Sequence, residues 1–229
     1  MDRGEKIAIV IPVLNGERTL RQLIGRIRKQ SSLPVWVVND GSSDKTAELA
    51  EELADRVLHH SQNRGKGEAL QTAMKSLREL SYQIMITLDA DLQHTPEAIP
   101  YFLEMHRQYP DALIIGSRQR KRTMPLHRKL SNGITSALIR IRSGQAIPDS
   151  QCGFRLIPLK AFDSSLPWRS GFHFESELLL RFALNGGKVL SVPIPTIYRK
   201  DGVSYIHHIP DTIDFIKLYI ETFFWQETK

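Results

Sequence analysis

Short apolar runs rich in valine and isoleucine recur along the first half of the chain. They predict strands at 6–13, 35–39, 57–60, 84–88 and 112–116. Runs without regular polar alternation are typical of strands that are buried on both faces of a sheet. The pattern therefore predicts a sheet that other elements cover on both sides.

Between these runs, apolar residues recur at helical spacing. Two such stripes comprise Leu20, Leu23, Ile24 and Ile27, and then Leu70, Ala73, Met74 and Leu77. A further helix start is predicted at Thr95 and Pro96, with Thr95 as the cap and Pro96 in the first turn. Alternating strands and helices predict an α/β fold with a mostly parallel sheet flanked by helices.

Beyond about residue 125 the pattern is less regular. Helices are predicted at 127–142 and 174–184, the second ended by the glycines at 186 and 187. The segment 188–198 predicts a strand, but Pro193 and Pro195 interrupt it. Prolines place such a strand at a sheet edge or beside a site.

The last predicted element is an amphipathic helix at 209–224. Its apolar stripe comprises Ile209, Ile213, Ile216, Ile220 and Phe223. An apolar stripe with an aromatic residue can lie in a lipid interface. The mixed charge of the opposite face favours packing against the domain or against a partner subunit instead. We expect a domain at 1–205 followed by this helical segment at 206–229.

The composition is that of an ordinary globular protein, with 41% hydrophobic and 24% charged residues among 229. This length suits one domain, with or without a small appendage. No stretch approaches the roughly 18 apolar residues of a membrane span, and the N-terminus does not resemble a secretory signal. The single cysteine, Cys152, excludes an intrachain disulfide and suits a reducing compartment. The expected location is the cytoplasm, with a peripheral position at the cytoplasmic membrane face left open.

Positive charge is concentrated in one part of the chain. The net charge is +6, and the stretch from 118 to 129 contains no acidic residue but six cations: Arg118, Arg120, Lys121, Arg122, Arg128 and Lys129. Such a stretch is either a solvated loop or a site for a phosphorylated ligand or an anionic membrane. Nucleic acid is a poorer candidate, because interleaved aromatic residues and nucleic-acid-binding motifs are absent.

Two carboxylates follow the predicted strand at 84–88. Asp89 and Asp91 flank one residue, and Gln93 comes two positions later. Ligands bind at strand ends in open α/β sheets, and hard oxygen ligands suit Mg²⁺ or Mn²⁺ with positions left for diphosphate oxygens. A simple acidic turn is the alternative interpretation.

Further polar clusters follow the other strands. Asp40 can accept a hydrogen bond from a base or ribose, and Asp44 or Ser43 can cap the next helix. Lys66 lies between two glycines ahead of a helix, where backbone N–H groups and a cation can meet an anionic ligand. The spacing is not that of a Walker A loop, and no dinucleotide-binding glycine motif follows the first strand. These absences argue against a P-loop NTPase and a dinucleotide dehydrogenase.

Together these motifs resemble those of family 2 glycosyltransferases, and more closely the dolichyl- and polyprenyl-phosphate sugar transferases. The residues that carry the resemblance, in order, are Ile11, Pro12, Asn15 and Glu17; the segment 39–44; Gly65, Lys66 and Gly67; the segment 89–94; and Gly116, Ser117 and Arg118. The segment 149–154 also resembles the acceptor-side motif of dolichyl-phosphate glucosyltransferases. The resemblance extends from about residue 7 to about residue 205.

The resemblance implies a GT-A type fold and a role for each matching residue. The nucleoside pocket would be lined by Pro12, Leu14, Glu17 and Asp40, with Lys66 and Asp89 also on the nucleotide-sugar side. The metal ion would be held by Asp89, Asp91 and Gln93. The acceptor phosphate would meet Arg118, Arg128 and Asn132. The residues expected nearest the reaction are Asp149 and Asp91.

The chemistry of sugar transfer agrees with these expectations. A metal ion stabilises the negative charge that develops on a departing nucleoside diphosphate. A phosphate acceptor is already anionic near neutral pH and needs cations rather than a base, and arginine suits it because its planar fork donates two parallel hydrogen bonds. An alcohol acceptor would need a general base, for which Asp149 is the first candidate. Glu175 or Glu177 could reach the site or be structural carboxylates.

The sequence therefore predicts an inverting, metal-dependent transferase that moves a hexose from a UDP- or GDP-sugar to a polyprenyl phosphate. Two alternatives remain open. The acceptor could be a soluble sugar or another hydroxyl compound, or the chain could be a catalytically silent, membrane-associated binding homologue.

Overall fold

The fold was analysed in a computed structural model, which describes the backbone at 4–118, 126–171, 173–195 and 208–225. Side chains are described at the same positions except 126–132 and 208–213. Within these residues the strands are β1 (Ile7–Val13), β2 (Val35–Asn39), β3 (Arg56–His59), β4 (Ile84–Thr87), β5 (Leu113–Arg118), β6 (Arg155–Pro158) and β7 (Val189–Ile194). The helices are α1 (Leu20–Gln30), α2 (Thr46–Leu53), α3 (Lys66–Glu79), α4 (Ile99–Gln108), α5 (Leu126–Ser143), α6 (His173–Leu184) and α7 (His208–Glu221).

The strands form one mixed, mostly parallel sheet in the order β3-β2-β1-β4-β6-β5-β7. β1, β2, β3 and β4 run parallel, with Val13 opposite Asn39 and Val10 opposite Thr87. β6 is antiparallel to both of its neighbours, so β4 and β5 point the same way. The carboxyl ends of β1, β2, β4 and β5 therefore meet at one edge of the sheet, together with the start of β6.

Helices cover the sheet in two groups. α1 contacts α2 and α4, whereas α3 contacts α6, and α5, α6 and α7 contact one another. The central strands are buried on both faces, since β2 is buried throughout and Ala8 to Ile11 of β1 are fully inaccessible. This burial explains the unbroken apolar runs in the sequence.

The structure confirms the predicted α/β class and most of the predicted elements. The five early strands and the helices at 127–142 and 174–184 lie within about two residues of their predicted bounds. The strand predicted at 188–198 is β7, which forms one edge of the sheet as its prolines indicated. The capping role of Thr95 is wrong, because its side chain makes no cap hydrogen bond and a short 3₁₀ turn, Pro96–Ala98, precedes α4.

The C-terminal helix packs on the domain, but through a different face from the predicted stripe. α7 contacts α5 and α6. Among its described side chains Phe215 and Leu218 are buried, and so is Thr222 directly after the helix. The predicted stripe instead faces outward where its side chains are described, with Ile216 42%, Ile220 53% and Phe223 60% exposed. Ile209 and Ile213 lie outside the described side chains. Among the described helices, none is both long enough and apolar enough to cross a membrane.

Candidate active site

The candidate site lies at the carboxyl edge of the sheet, where the strand order changes direction. β1 has β2 on one side and β4 on the other, so the chain leaves these strands toward opposite halves of the sheet. Such a switch point opens a crevice in which ligands bind in open α/β folds. The polar segments predicted from the sequence follow β1, β2 and β4 directly.

The turns after β1 and β2 are joined to each other. Asn15, with a left-handed φ of 52°, accepts a hydrogen bond from the backbone N–H of Ser43 at 2.9 Å. Glu17 accepts one from the N–H of Lys45, and Asp44 accepts one from the N–H of Glu17, both at 3.2 Å. Asp44 also accepts from the N–H of Thr46, the first residue of α2, at 3.0 Å. The residue at the N-cap position is Lys45, and it makes no side-chain cap hydrogen bond, so the predicted cap by Asp44 or Ser43 is wrong. Burial alone would raise the pKa of Asp44, but hydrogen bonds from the hydroxyl of Thr46, then from the N–H groups of Thr46 and Glu17, lower it below its ordinary value.

Asp40 is buried and holds the loop that leads into α3. Its Oδ1 lies 2.6 Å from Nδ1 of His60 and accepts from the N–H of Arg64 at 2.9 Å. Its Oδ2 accepts from the N–H of Gly65 at 2.8 Å. Three partners for one carboxylate fix the entry to α3, and thereby the position of Lys66 at its first turn. The nucleoside contacts of Asp40, of exposed Glu17, and of Pro12 and Leu14 at the end of β1 stay predictions.

Lys66 joins two carboxylates from different elements. Its Nζ lies 2.6 Å from Oδ1 of Asp89, after β4, and 2.7 Å from Oε2 of Glu175, in α6. Burial alone would lower the pKa of Lys66, but the attraction of the two carboxylates outweighs it and raises that pKa above its ordinary value. The lysine is therefore a permanent cation whose charge is shared between the two acids.

Asp89 is held on both oxygens. Lys66 contacts Oδ1, and Nε2 of His94 lies 3.3 Å from Oδ2. Burial by itself would raise the pKa of Asp89, but Lys66 and then His94 more than offset it and hold the pKa far below the usual range. Asp89 is consequently ionised at any pH at which the protein functions.

Asp91 differs from Asp89 in its surroundings. It is exposed, and its Oδ1 accepts a hydrogen bond from the N–H of Gln93 at 2.9 Å across a turn in which Leu92 has a left-handed φ of 61°. Partial desolvation by the neighbouring residues raises the pKa of Asp91, and the negative charge of Asp89 raises it further. Nearby positive charge would therefore stabilise the ionised form of Asp91.

On the far side of the crevice, Arg118 at the end of β5 is paired with Asp149. Nε of Arg118 donates to Oδ2 of Asp149 at 2.6 Å, and its Nη2 donates to Oδ1 at 2.8 Å. The backbone N–H of Arg118 also donates to Oδ2 at 3.1 Å. The side chain of Asp149 is only 4% exposed, so this carboxylate orients Arg118 rather than facing solvent. Arg128 and Asn132, the other predicted acceptor residues, lie outside the described side chains.

Three charged or polar residues of the site were not assigned to it from the sequence. His94 contacts Asp89, Glu175 contacts Lys66, and Arg155 of β6 donates to the carbonyl oxygens of Ser150 and Cys152 at 2.8 Å each. His94 belongs to the segment that carries the resemblance, and Glu175 was left open between a site role and a structural one. Glu177 is structural, since its carboxylate accepts from Arg169 N–H and Arg181 Nε at 2.8 Å each.

Oxygen atoms that could bind a cation lie at the ends of the strands, although the described side chains do not form a complete metal site by themselves. Among the side chains that the structure describes, no three from histidine, cysteine, aspartate and glutamate are grouped so that they could hold a metal ion. The oxygen donors near the switch point are Asp89, Asp91 and the amide of Gln93. A donor set of this kind suits an ion that takes further ligands from a bound diphosphate.

Comparison with known proteins identifies the family. The profile of "Glycosyl transferase family 2" matches residues 8–166. The chain belongs to this family. This family 2 member is a glycosyltransferase, as the sequence predicted.

Two relatives of this glycosyltransferase have names that refer to prenyl-linked phosphates. Undecaprenyl-phosphate mannosyltransferase of Micrococcus luteus is 30% identical over 214 residues, which cover 87% of this chain and 86% of that protein. Polyprenol monophosphomannose synthase of Mycolicibacterium smegmatis is also 30% identical over 214 residues, covering 87% of this chain and 80% of that protein.

Solved structures confirm the GT-A type of fold. Glucosyl-3-phosphoglycerate synthase from Mycobacterium tuberculosis in complex with uridine-diphosphate matches with a TM-score of 0.76 at 20% identity, covering 98% of this chain and 82% of that one. Its complex with Mn²⁺, uridine-diphosphate and glucosyl-3-phosphoglycerate matches with a TM-score of 0.73 at 21% identity, covering 96% and 79%. Likeness at this level of identity concerns the fold alone.

Proposed function

We propose that this glycosyltransferase moves a hexose from a UDP- or GDP-sugar to a polyprenyl phosphate, with a divalent metal ion at the donor site. One observation carries the proposal. Carboxylates at the end of β4 and a fixed arginine at the end of β5 face the same edge of the sheet, so an acidic donor side adjoins a cationic acceptor side. The undecaprenyl phosphate in the name of one relative and the polyprenol monophosphomannose in the name of another support the choice of acceptor.

The donor side fits Mg²⁺ or Mn²⁺ on the chemistry of its ligands. Asp91 is accessible and has a raised pKa next to the charge of Asp89, so a cation between them would relieve the repulsion. We assign the ion to Asp91, Asp89 and Gln93, with Lys66 beside the diphosphate. Such an ion acts as a Lewis acid that neutralises charge on the leaving diphosphate. Pro12, Leu14, Glu17 and Asp40 would then border the nucleoside.

The acceptor side fits a phosphate rather than an alcohol. Asp149 is buried and bonded on both oxygens to Arg118, which makes it a poor general base but a good anchor for a phosphate-binding arginine. We propose that Arg118, with Arg128 and Asn132 from the start of α5, holds the acceptor phosphate. Asp149 then contributes near the reacting atoms by keeping Arg118 in place.

The proposed reaction is a single displacement. An oxygen of the acceptor phosphate forms a bond to the anomeric carbon while the bond from that carbon to the nucleoside diphosphate breaks, and the electron pair leaves on the diphosphate. One in-line displacement inverts the anomeric configuration. No proton has to be removed from an acceptor phosphate that is already ionised.

A peripheral membrane position would bring a lipid acceptor to this site. We propose that residues 1–205 form the catalytic domain and that the helix within 206–229 rests on it by its inner face. Its outer face, with Ile216, Ile220 and Phe223, would contact the cytoplasmic surface of the membrane. The printed sequence of α5 contains cations but no acidic residue, and such a helix beside α7 would favour anionic lipid.

The proposal is tested first on the donor and then on the acceptor. UDP and GDP are titrated calorimetrically into the protein with and without Mn²⁺, and we expect one of them to bind only with the metal. The matching nucleotide sugars, labelled in the hexose, are then incubated with undecaprenyl phosphate, with undecaprenol and with a soluble phosphorylated acceptor such as phosphoglyceric acid. We expect labelled lipid only with undecaprenyl phosphate.

Other outcomes discriminate between the alternatives. Transfer to phosphoglyceric acid but not to the lipid would establish a soluble acceptor instead. Donor binding without transfer to any acceptor, or folded protein that binds neither nucleotide, would favour a catalytically silent homologue.

A further inference from the structure

We propose that Glu175 is a positioning residue, which holds Lys66 against Asp89 and ties the donor-side carboxylate to the turn that carries the acceptor-side Asp149. The inference rests on the proposed function, because Asp89 is taken to belong to the donor site.

The geometry is a chain of alternating charges across four elements. Asp89 after β4 contacts Lys66 of α3 at 2.6 Å, and Lys66 contacts Glu175 of α6 at 2.7 Å. The other oxygen of Glu175, Oε1, lies 3.4 Å from Nε of Arg155 in β6. Each residue in the middle of this chain therefore has a partner of opposite charge on either side.

The charged side chains of this series become more buried with distance from the crevice. The side chain of Lys66 is 16% exposed, that of Glu175 8% and that of Arg155 1%. Ions this far from water are stable only when they are paired and hydrogen-bonded. Oε1 of Glu175 has no hydrogen-bond partner among the described residues, so Lys66 holds the carboxylate through Oε2. Glu175 therefore restrains Lys66, because moving the ammonium away would leave this buried carboxylate with only the more distant charge of Arg155.

The acceptor end of the chain is a turn rather than a single contact. Arg155 donates to the carbonyl oxygens of Ser150, Cys152 and Glu175, at 2.8, 2.8 and 2.7 Å. The segment from Ser150 to Cys152 follows Asp149, whose carboxylate orients Arg118. The same arginine thus fixes the acceptor-side turn and the backbone at Glu175, so a shift of one half of the crevice is transmitted to the other.

The charge of Glu175 and its fixed position should both strengthen metal binding at the proposed donor site. Its negative charge takes part of the charge of Lys66, which leaves Asp89 freer to attract a divalent ion. Its fixed position also holds Lys66 in place, and Lys66 in turn maintains the orientation of Asp89. Partners of metal-binding carboxylates that lie behind them typically contribute roughly 10- to 100-fold to metal affinity. Removing the charge of Glu175 should weaken metal binding in that range.

Glu177 provides a matched control two residues along the same helix. It is also a buried glutamate, but its partners are Arg169 and Arg181. We compare Glu175→Gln, Glu175→Asp and Glu177→Gln by Mn²⁺ titration in the presence of whichever nucleotide the wild type binds, followed by electron paramagnetic resonance. Donor KM, kcat and thermal midpoint are measured in parallel.

We expect Glu175→Gln to raise the Mn²⁺ dissociation constant by roughly 10- to 100-fold and the donor KM with it. Glu175→Asp should lie between Glu175→Gln and the wild type, because it keeps the charge but shortens the reach to Lys66. Glu177→Gln should lower the thermal midpoint, because breaking a buried pair destabilises the fold. Its Mn²⁺ affinity should stay within about twofold of the wild type, because the pair does not contact the proposed metal ligands.

Wild-type Mn²⁺ affinity in folded Glu175→Gln would overturn the inference while leaving the proposed function intact. If Glu175→Gln does not fold, unchanged affinity in Glu175→Asp overturns it equally. An equal loss in Glu177→Gln would also overturn it, because the effect would then belong to α6 in general. Failure of the wild type itself to bind Mn²⁺ with a nucleotide would instead refute the proposed function.

Discussion

Gly153 lies so close to the carboxylate of Asp89 that no side chain fits between them. A Cβ atom at Gly153 would be 2.3 Å from Oδ2 of Asp89 and 2.8 Å from its Cγ, well inside van der Waals contact. The turn before β6 therefore forms part of the wall against which Asp89 rests. The position of Asp89 therefore requires a glycine at 153, so the proposed acceptor-side turn and the proposed donor-side carboxylate constrain each other.

We expect Gly153→Ala to displace Asp89 from Lys66 and to weaken metal-dependent nucleotide binding by at least about tenfold, as losses near metal ligands commonly do. Calorimetric titration of UDP or GDP with Mn²⁺ measures the change. Gly25→Ala is the control, because its Cβ would meet nothing within 4 Å and alanine in a helix is more stable than glycine by about 1 kcal/mol. Nucleotide binding at wild-type strength in folded Gly153→Ala would show that Asp89 does not need its observed position.

Asp91→Asn tests the metal assignment without disturbing the turn. An asparagine oxygen can still accept the N–H of Gln93, but the charge is lost. We expect metal-dependent nucleotide binding to disappear while the thermal midpoint stays within a few degrees of the wild type. Asp111→Asn, a change at an exposed carboxylate outside the crevice, should leave binding unchanged. If UDP and GDP affinities with Mn²⁺ are the same in Asp91→Asn, the metal is held elsewhere.

The parallel part of the fold was predictable because its signals are local. The runs that became β1, β2 and β4 are mostly apolar, and each is followed by a polar turn. Because parallel strands end at the same edge of a sheet, Asp40, Asp89 and Asp91 could be placed at one edge from the predicted parallel direction alone. The family motifs then supplied the expected chemistry. The roles predicted for these three aspartates depend on strand ends that the parallel sheet brings together.

Other parts of the site depend on long-range contacts that no local pattern shows. β6 inserts antiparallel between β4 and β5, which places Arg155 and the turn of Cys152 behind the donor carboxylates. Glu175 reaches Lys66 from more than 100 positions away in sequence, and its neighbour Glu177 has the same residue type but a different role. Helical periodicity likewise found the stripe of α7 but not which of its two apolar faces packs.

Cys152 should be unreactive in the folded protein. Its side chain is completely buried, and burial first, then the charge of Asp149, raises the pKa of the thiol to about 12. An unfolded cysteine has a pKa of roughly 8.5, so at pH 8 to 9 only the unfolded chain presents much thiolate. We expect a chromogenic disulfide reagent to label Cys152 at least about 100-fold faster in guanidinium than in buffer, since the thiolate is the reacting form.

The same shift predicts how stability changes with pH. The folded thiol keeps its proton up to about pH 12, whereas the unfolded thiol loses it from roughly pH 8.5. Its contribution to the free energy of unfolding is therefore complete below pH 8 and decreases as pH rises towards 12. Guanidinium unfolding of the wild type and Cys152→Ala between pH 7 and 10 should show a steeper decline for the wild type. Parallel pH curves, or rapid labelling of the native protein, would contradict a buried neutral thiol.

The outer face of α7 provides a direct test of the proposed membrane contact. Phe224, three residues beyond the end of α7, is 80% exposed and follows the exposed Ile220 and Phe223 in sequence. Burying one phenylalanine in an apolar phase stabilises binding by about 1.5–3 kcal/mol. We expect Phe224→Ser to weaken binding to vesicles of anionic phospholipid roughly tenfold in a sedimentation assay, without changing the thermal midpoint. Lipid acceptor KM should rise, while donor binding should not.

Tyr101→Ser is the matched control, because Tyr101 of α4 is also a highly exposed aromatic residue but belongs to the other group of helices. A face-specific contact requires vesicle binding to fall with Phe224→Ser and to persist with Tyr101→Ser. Raising the salt concentration should weaken the wild type further if cations of α5 meet anionic headgroups, since such attraction is screened within about a Debye length. Equal effects of both substitutions, or no binding to vesicles by the wild type, would leave α7 as a helix that only packs on the domain.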